Sequence, residues 1–264
     1  MNTCNKITIA VLQHNARLKG PDERFAWLDK QARIAASKDI ELLVCPELFM
    51  TGYHVGDDLH QYAELADGDF AQRVKSLAKE LGVAILYGYP ERFGKAVYNS
   101  AICFDGDGLV LANHRKVVLP PGLEPKYFEN GSSLTMFTFK SIKMALMICY
   151  ECEFPETVRN VTALGAEVVL VCTACSWDQV PNFVAPARAY ENGVFLIYAN
   201  HAGLEDGVEF PGLSCILDPY GGDLARAGAD EEVISACIDT RLVRKAQERL
   251  PYLRDHKKIP SSCA

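Results

Sequence analysis

Short apolar runs alternate with amphipathic stretches along this chain, and their spacing predicts a mixed α/β fold. Residues 7–12 are β-rich and alternating, which predicts a strand. Residues 23–37 carry Phe25, Leu28, Ala32 and Ala35 at helical spacing. A second strand is expected over 40–45, ending at Pro46-Glu47, and an amphipathic helix over 69–81, closed by Gly82. A third strand follows at 83–89. Residues 97–104 and 109–118, joined by Asp105-Gly106-Asp107-Gly108, predict a hairpin. The stretch 119–131 is rich in proline and glycine and predicts a loop. Beyond it the pattern predicts a hairpin (134–139 with 142–148), a helix (156–164) and a strand (167–172). A helix (183–192, ended by Gly193), a strand (194–199) and a further hairpin from 213 through the 218–222 turn complete it.

The element order is loosely duplicated: strand, helix, strand, helix, strand and hairpin, twice. Two such halves are expected to stack sheet on sheet with helices outside, giving a four-layer α-β-β-α sandwich. No linker or composition break interrupts the chain, so residues 1–264 read as one domain. Residues 240–264 form a polar tail with isolated apolar positions, of the kind that packs on a partner subunit or stays disordered.

The chemistry centres on strand ends. Cys149 closes the apolar run Met144–Ile148 and precedes Tyr150-Glu151-Cys152-Glu153-Phe154-Pro155-Glu156, a turn leading into a helix. A thiol at the carboxyl end of a buried strand stands where α/β folds place active sites. A helix N-terminus nearby favours a thiolate and an oxyanion. Glu47 follows a strand in the same way, and Lys116 lies in the run from Leu111 to Leu119. Brought together, the carboxylate would take the thiol proton and the ammonium would hold a developing oxyanion, a division of labour suited to acyl transfer from an amide.

Composition narrows the field. The net charge of −7 argues against nucleic-acid or anionic-membrane partners, and no apolar stretch approaches spanning length. The first residues pass directly into a strand pattern without a secretory segment. The ten cysteines are scattered, mostly within apolar runs, and read as reduced, buried residues of a cytoplasmic protein. Cys149-x-x-Cys152 and Cys172-x-x-Cys175 have zinc-ribbon spacing, and Cys149 with Cys152 has that of a redox pair. Each pair straddles the end of an apolar strand instead of a tight polar knuckle, and neither reading explains Glu47 and Lys116. No metal and no cofactor are expected. The six histidines show no metal-ligand spacing, though a dyad of Cys149 with His201 stays open.

Three ordered blocks carry a family resemblance: Cys45-Pro46-Glu47-Leu48-Phe49-Met50-Thr51-Gly52-Tyr53, His114-Arg115-Lys116-Val117-Val118-Leu119, and Met147-Ile148-Cys149-Tyr150 through Glu156. With the helix Pro186–Gly193, they resemble the nitrilase superfamily of carbon–nitrogen hydrolases over residues 5–240. The resemblance implies Glu47 as general base, Lys116 as oxyanion-stabilising lysine and Cys149 as nucleophile, with the Tyr150 N–H completing an oxyanion hole. It also implies a second, substrate-positioning glutamate after the lysine, best matched by Glu124 and less well by Glu129. Tyr53 and Trp177 are expected near substrate; for Asp178 a pairing with a cationic tail stands beside the reading as a helix N-cap or exposed residue. One departure is Glu151, where the family usually has Asp. Tyr87–Arg92 and Tyr98-Asn99-Ser100 resemble the small aliphatic amidases, including 5-aminopentanamidase-like enzymes. The implied activity is hydrolysis of a small aliphatic amide through a cysteine thioester. A nitrilase or an N-carbamoyl amide hydrolase with the same triad is the alternative, and a catalytically silent binding or assembly module the non-enzyme one. A homodimer or higher homo-oligomer is implied as well.

Overall fold

The alternation of buried residues along the first strands sets the layering. In β1 (Lys6–Gln13), Ile7, Ile9 and Val11 face one apolar cluster, while Ala10 and Leu12 face another. β2 (Leu42–Val44) and β3 (Ala84–Phe93) divide the same way, with Leu42, Val44 and Leu86 on one side and Leu43, Ile85 and Tyr87 on the other. The second side is covered by α1 (Gly20–Ala36), through Leu28, Ala32 and Ala35. Of the later helices, α2 (Leu59–Tyr62) is a single turn and α3 (Asp69–Leu81) completes the cover through Phe70, Val74 and Leu77. The first side meets a second sheet. The computed structural model describes residues 5–256.

β1, β2 and β3 run parallel, joined by helical crossovers, and β4 (Ala96–Phe104) and β5 (Val110–Arg115) continue the sheet antiparallel. After the single turn α4 (Glu124–Tyr127), β6 (Thr135–Phe139) and β7 (Ile142–Ile148) open the other sheet. α5 (Pro155–Ala163), β8 (Val168–Cys172), α6 (Ala185–Asn192) and β9 (Phe195–Ala199) repeat the parallel crossovers. β10 (Ala202–Glu205) and β11 (Val208–Pro211) form a separate hairpin, and β12 (Cys215–Leu217) and β13 (Asp223–Arg226) complete the second sheet. β14 (Glu232–Asp239) then returns to pair antiparallel with β1. The two sheets have the orders β14-β1-β2-β3-β4-β5 and β13-β12-β9-β8-β7-β6. β14 therefore stands beside β1 as β6 stands beside β7, so the duplication holds strand by strand. The fold is the expected α-β-β-α sandwich.

Differences from the sequence reading have local causes. α1 begins at Gly20, not residue 23, because Pro21 is tolerated in the first turn, where its missing N–H is no loss. The β10–β11 hairpin is absent from the reading, although Asp206-Gly207 is a two-residue hairpin signal. Both residues have positive φ, 44° and 81°. The tail is not a free arm up to residue 256. α7 (Arg241–Arg249) buries Val243 and Ala246, and Gln247 donates to the Asn192 carbonyl. α8 (Tyr252–Asp255) follows, and the rest of the tail lies outside the described residues. Among the described residues no helix is long and apolar enough to cross a membrane.

Candidate active site

The carboxyl ends of β2, β7 and β8 and the end of β5 open on one side of the sandwich, and the residues just beyond them meet there. Glu47, Lys116 and Glu124 are all fully buried. Lys116 Nζ donates to Glu47 Oε1 at 2.7 Å and to Glu124 Oε1 at 2.5 Å. Asn99 Nδ2 bridges the same two carboxylates at 2.7 and 3.3 Å. The Ala174 N–H reaches the other Glu47 oxygen at 2.8 Å, and the Tyr53 hydroxyl donates to Glu124 at 2.8 Å. One ammonium thus sits between two carboxylates, each held by further donors, the condition under which buried charges persist.

Burial pushes the Glu47 pKa up to about 7 against the pull of Lys116, with Glu124 adding to the rise. Burial alone would lower the Lys116 pKa, but the two carboxylates outweigh it and leave the amine firmly charged.

The backbone that presents Glu47 is fixed from several sides. Leu48 adopts a left-handed φ of 46°, the kind of strain that collects at functional sites. Gly88 on β3 lies so close that a Cβ there would sit 2.3 Å from the Leu48 nitrogen and 2.8 Å from Glu47 Cα. His201 Nε2 lies 2.7 Å from the Glu47 carbonyl, and His201 Nδ1 lies 3.1 Å from His14 Nδ1. Burial lowers both histidine pKa values, that of His201 to about 3, so both rings are neutral. A carbonyl only accepts, so Nε2 of His201 carries its proton and His14 donates through Nδ1. The remaining His14 nitrogen accepts from the buried Arg24 guanidinium. His201 therefore orients Glu47 and is not paired with Cys149. Arg24 in turn meets Glu205 on β10, whose carboxylate accepts from the Tyr53 and His54 N–H groups. The unforeseen hairpin thus seats Tyr53.

Cys149 stands at the end of β7 with a left-handed φ of 45° and opens a short 3-10 segment, Cys149–Glu153. Its neighbour Glu151 is fully buried and accepts from the Ile148 N–H at 2.6 Å, the Val117 N–H at 2.7 Å and His114 Nε2 at 2.9 Å. The extra methylene at this position is thus absorbed by a carboxylate that ties the cysteine turn to the strand end bearing Lys116. Arg188 donates to the Cys152 and Glu153 carbonyls and pairs with Glu191 at 3.1 Å. The thiol of Cys149 shares a hydrogen bond with that of Cys175, which raises its pKa; burial and the Glu47 charge add to the rise, and Lys116 opposes it. The helix N-terminus expected to favour a thiolate does not adjoin Cys149, because α5 starts only at Pro155, beyond the 3-10 segment. The Cys175 hydrogen bond, burial and the Glu47 charge favour the protonated thiol, the form from which the Glu47 carboxylate is expected to take a proton.

Cys149 opens onto a cleft of about 650 Å³. Tyr53, Tyr150 and Trp177 all line it, with Trp177 70% exposed at its rim. Glu124 lies beneath, bound to Lys116, and Glu129 is exposed in the following loop. Asp178 is exposed and does not line the cleft. Cys172 is buried in the core, Cys149 and Cys152 are free thiols, and no group of three or more His, Cys, Asp or Glu among the described residues is placed to hold a metal ion. Asn99 and Ala174 join the site without having been assigned roles, and His201 joins it in a different role from the dyad left open. Asn99 lay within a quoted block, whereas a backbone N–H leaves no mark in sequence.

Comparison with known proteins agrees with this architecture. A profile of the carbon–nitrogen hydrolase family matches residues 8–248. A hydrolase of Pseudomonas protegens is 38% identical over 83% of this chain and 79% of its own length. The 2-oxoglutaramate amidase of Bacillus subtilis is 33% identical over 96% and 98%. A variant of the amidase from Nesterenkonia sp. AN1, solved with the acetamide moiety of fluoroacetamide on its active-site cysteine, superposes with a TM-score of 0.85 at 30% identity, covering 98% of both chains. The fold and these likenesses define a carbon–nitrogen hydrolase of the amidase type. The chain belongs to the nitrilase superfamily.

Proposed function

We propose that this protein hydrolyses a small aliphatic amide to the carboxylic acid and ammonia through a Cys149 thioester. The observation that carries the reading is the fully buried Lys116 ammonium between Glu47 and Glu124, beside the Cys149 thiol. As the thiol attacks the amide carbon, its proton passes to the Glu47 carboxylate and a C–S bond forms. Lys116 and the Tyr150 N–H, in the first turn of the 3-10 segment, meet the developing oxyanion. Collapse breaks the C–N bond, and the proton held by Glu47 goes to the departing nitrogen. Water then attacks the thioester, gives a proton to Glu47 and releases the acid, and the thiol regains its proton. Glu124 holds Lys116 from beneath, and Tyr53, which donates to Glu124, lines the cleft. A base with a pKa near 7 suits this two-way traffic.

Ammonia release from short aliphatic amides, carbamoyl amines and nitriles, with Cys149→Ala as control, tests the reading. Cys149-dependent release from amides, with an acyl adduct on Cys149 seen by mass spectrometry, is the expected result. Release from nitriles or carbamoyl compounds alone would move the assignment to those activities. The resemblance also implies a homodimer or larger homo-oligomer, which light scattering measures directly.

A further inference from the structure

The β10–β11 hairpin belongs to neither main sheet, yet it grips one residue of the cleft twice. From β10, Glu205 Oε2 accepts from the Tyr53 N–H at 3.0 Å and from the His54 N–H at 3.1 Å. From β11, Phe210, which pairs with Gly203 across the hairpin, meets the Tyr53 ring edge-on with centroids 6.4 Å apart. The segment that receives these contacts lies outside any helix or strand, and Gly52 before Tyr53 has a left-handed φ of 100°. Glycine leaves the backbone freest to turn, so Tyr53 takes its place from what holds it. A Cβ at Gly52 would also fall 2.1 Å from Glu205 Oε1 and 2.8 Å from Arg24 Nη2, so the missing side chain is what admits the carboxylate.

Glu205 is itself anchored. Its Oε1 lies 3.4 Å from Arg24 Nη2, and that guanidinium is fully buried, donating to the Phe49 and Ala16 carbonyls at 3.2 Å each. The base of the hairpin is tied down as well: the Ala202 N–H donates to the His14 carbonyl, and the Ala202 carbonyl accepts from the Ala16 N–H. Glu205 lines a neighbouring cleft and not the one onto which Cys149 opens. A side chain outside the Cys149 cleft acts on the reaction only through the residues it holds, and Tyr53 offers the route. The Tyr53 hydroxyl donates to Glu124 Oε1 at 2.8 Å, the same oxygen that accepts from Lys116 Nζ at 2.5 Å. We propose that Glu205 is a positioning residue for amide hydrolysis, which sets the place of the Lys116 ammonium through Tyr53 and Glu124. This rests on the amidase reading of Cys149. A misplacement of about 1 Å can cost on the order of 100-fold in rate, so a partial release of Tyr53 should cost about tenfold.

The test measures kcat and KM for ammonia release from butyramide in wild type, Glu205→Gln, Tyr53→Phe and the double variant, with folding checked by circular dichroism. Glu205→Gln is expected to lower kcat by about tenfold and to change KM by less than about threefold, because the oxyanion forms only in the transition state. In the Tyr53→Phe background, which has lost the link to Glu124, the same substitution should lower kcat by less than about threefold. A purely structural role would lower kcat by the same factor in both backgrounds, and that result overturns the proposal. So does a rise in KM at unchanged kcat, or no effect on either. Glu205→Gln strands the buried Arg24 cation, which costs folding stability. Glu205→Asp keeps the anion and draws the carboxylate back by one methylene; its smaller loss of kcat should likewise vanish in the Tyr53→Phe background, and a loss of equal size in both overturns the proposal. Failure of the amidase reading looks different: wild type itself shows no Cys149-dependent release from butyramide or any other amide, which removes the ground of this proposal too.

Discussion

Lys116→Met removes the ammonium that lies between Glu47 and Glu124 and keeps a side chain of similar reach. Both carboxylates are fully buried, so they have no water to replace the lost partner. Removing one member of a buried ion pair costs about 3–5 kcal/mol, and here two anions are stranded together. The pH dependence is the more specific signature. In the wild type the Glu47 pKa is raised to about 7. The folded state therefore holds a proton that the unfolded state has lost, and stability falls as pH rises from the ordinary carboxylate range to about 7. Lys116 lowers the Glu47 pKa, so its removal lifts that value and extends the fall to higher pH. Each pH unit of that extension costs about 1.4 kcal/mol. Between about pH 7 and about pH 8.5 the variant should lose ~2 kcal/mol that the wild type keeps. Urea unfolding at both pH values measures this, and Lys116→Met/Glu124→Gln should recover part of the loss by removing one of the stranded anions. A variant that loses less than about 1 kcal/mol and follows the wild-type pH slope would refute the argument, because no ion pair of this kind would then be buried.

Three other expectations follow from the geometry. Gly88→Ala places a methyl against the backbone of Glu47 and Leu48, so the activity in ammonia-release assays should fall by an order of magnitude or more, about what a slight misplacement of a catalytic group costs. Glu151→Gln puts an amide where the Ile148 and Val117 N–H groups need acceptors, and the unfolding free energy should drop by about 1–3 kcal/mol in a denaturant titration. The acidic limb of the kcat/KM profile should have its midpoint near 7, with activity lost as pH falls and Glu47 takes up a proton. A limb near 4.5 would mean that burial does not govern this carboxylate.

The sequence by itself determined the layers and the ends of the layers. Period-2 alternation in β1 to β3 specified two apolar faces, and the duplicated element order specified two sheets. The residues that close strands, Glu47, Lys116 and Cys149, were legible because their ordered blocks resemble a family. Local pattern alone did not reveal the β14 pairing with β1, or the seating of the 241–249 helix, since both depend on contacts with distant parts of the chain. Tertiary structure also decided the electrostatics. Whether Lys116 is a solvated strand-end lysine or a fully buried ammonium between two carboxylates depends on what packs above it. Whether Cys149 rests as thiol or thiolate depends on Cys175 and Glu47, which lie 26 and 102 positions away in sequence. Asp178 and Glu153 are both acidic residues near the blocks in sequence, and only the path of the chain puts one in solvent and the other on the cleft wall. Periodicity records which face of an element is apolar. It carries no record of which charges share a desolvated volume, and that sharing is what sets the chemistry of this site.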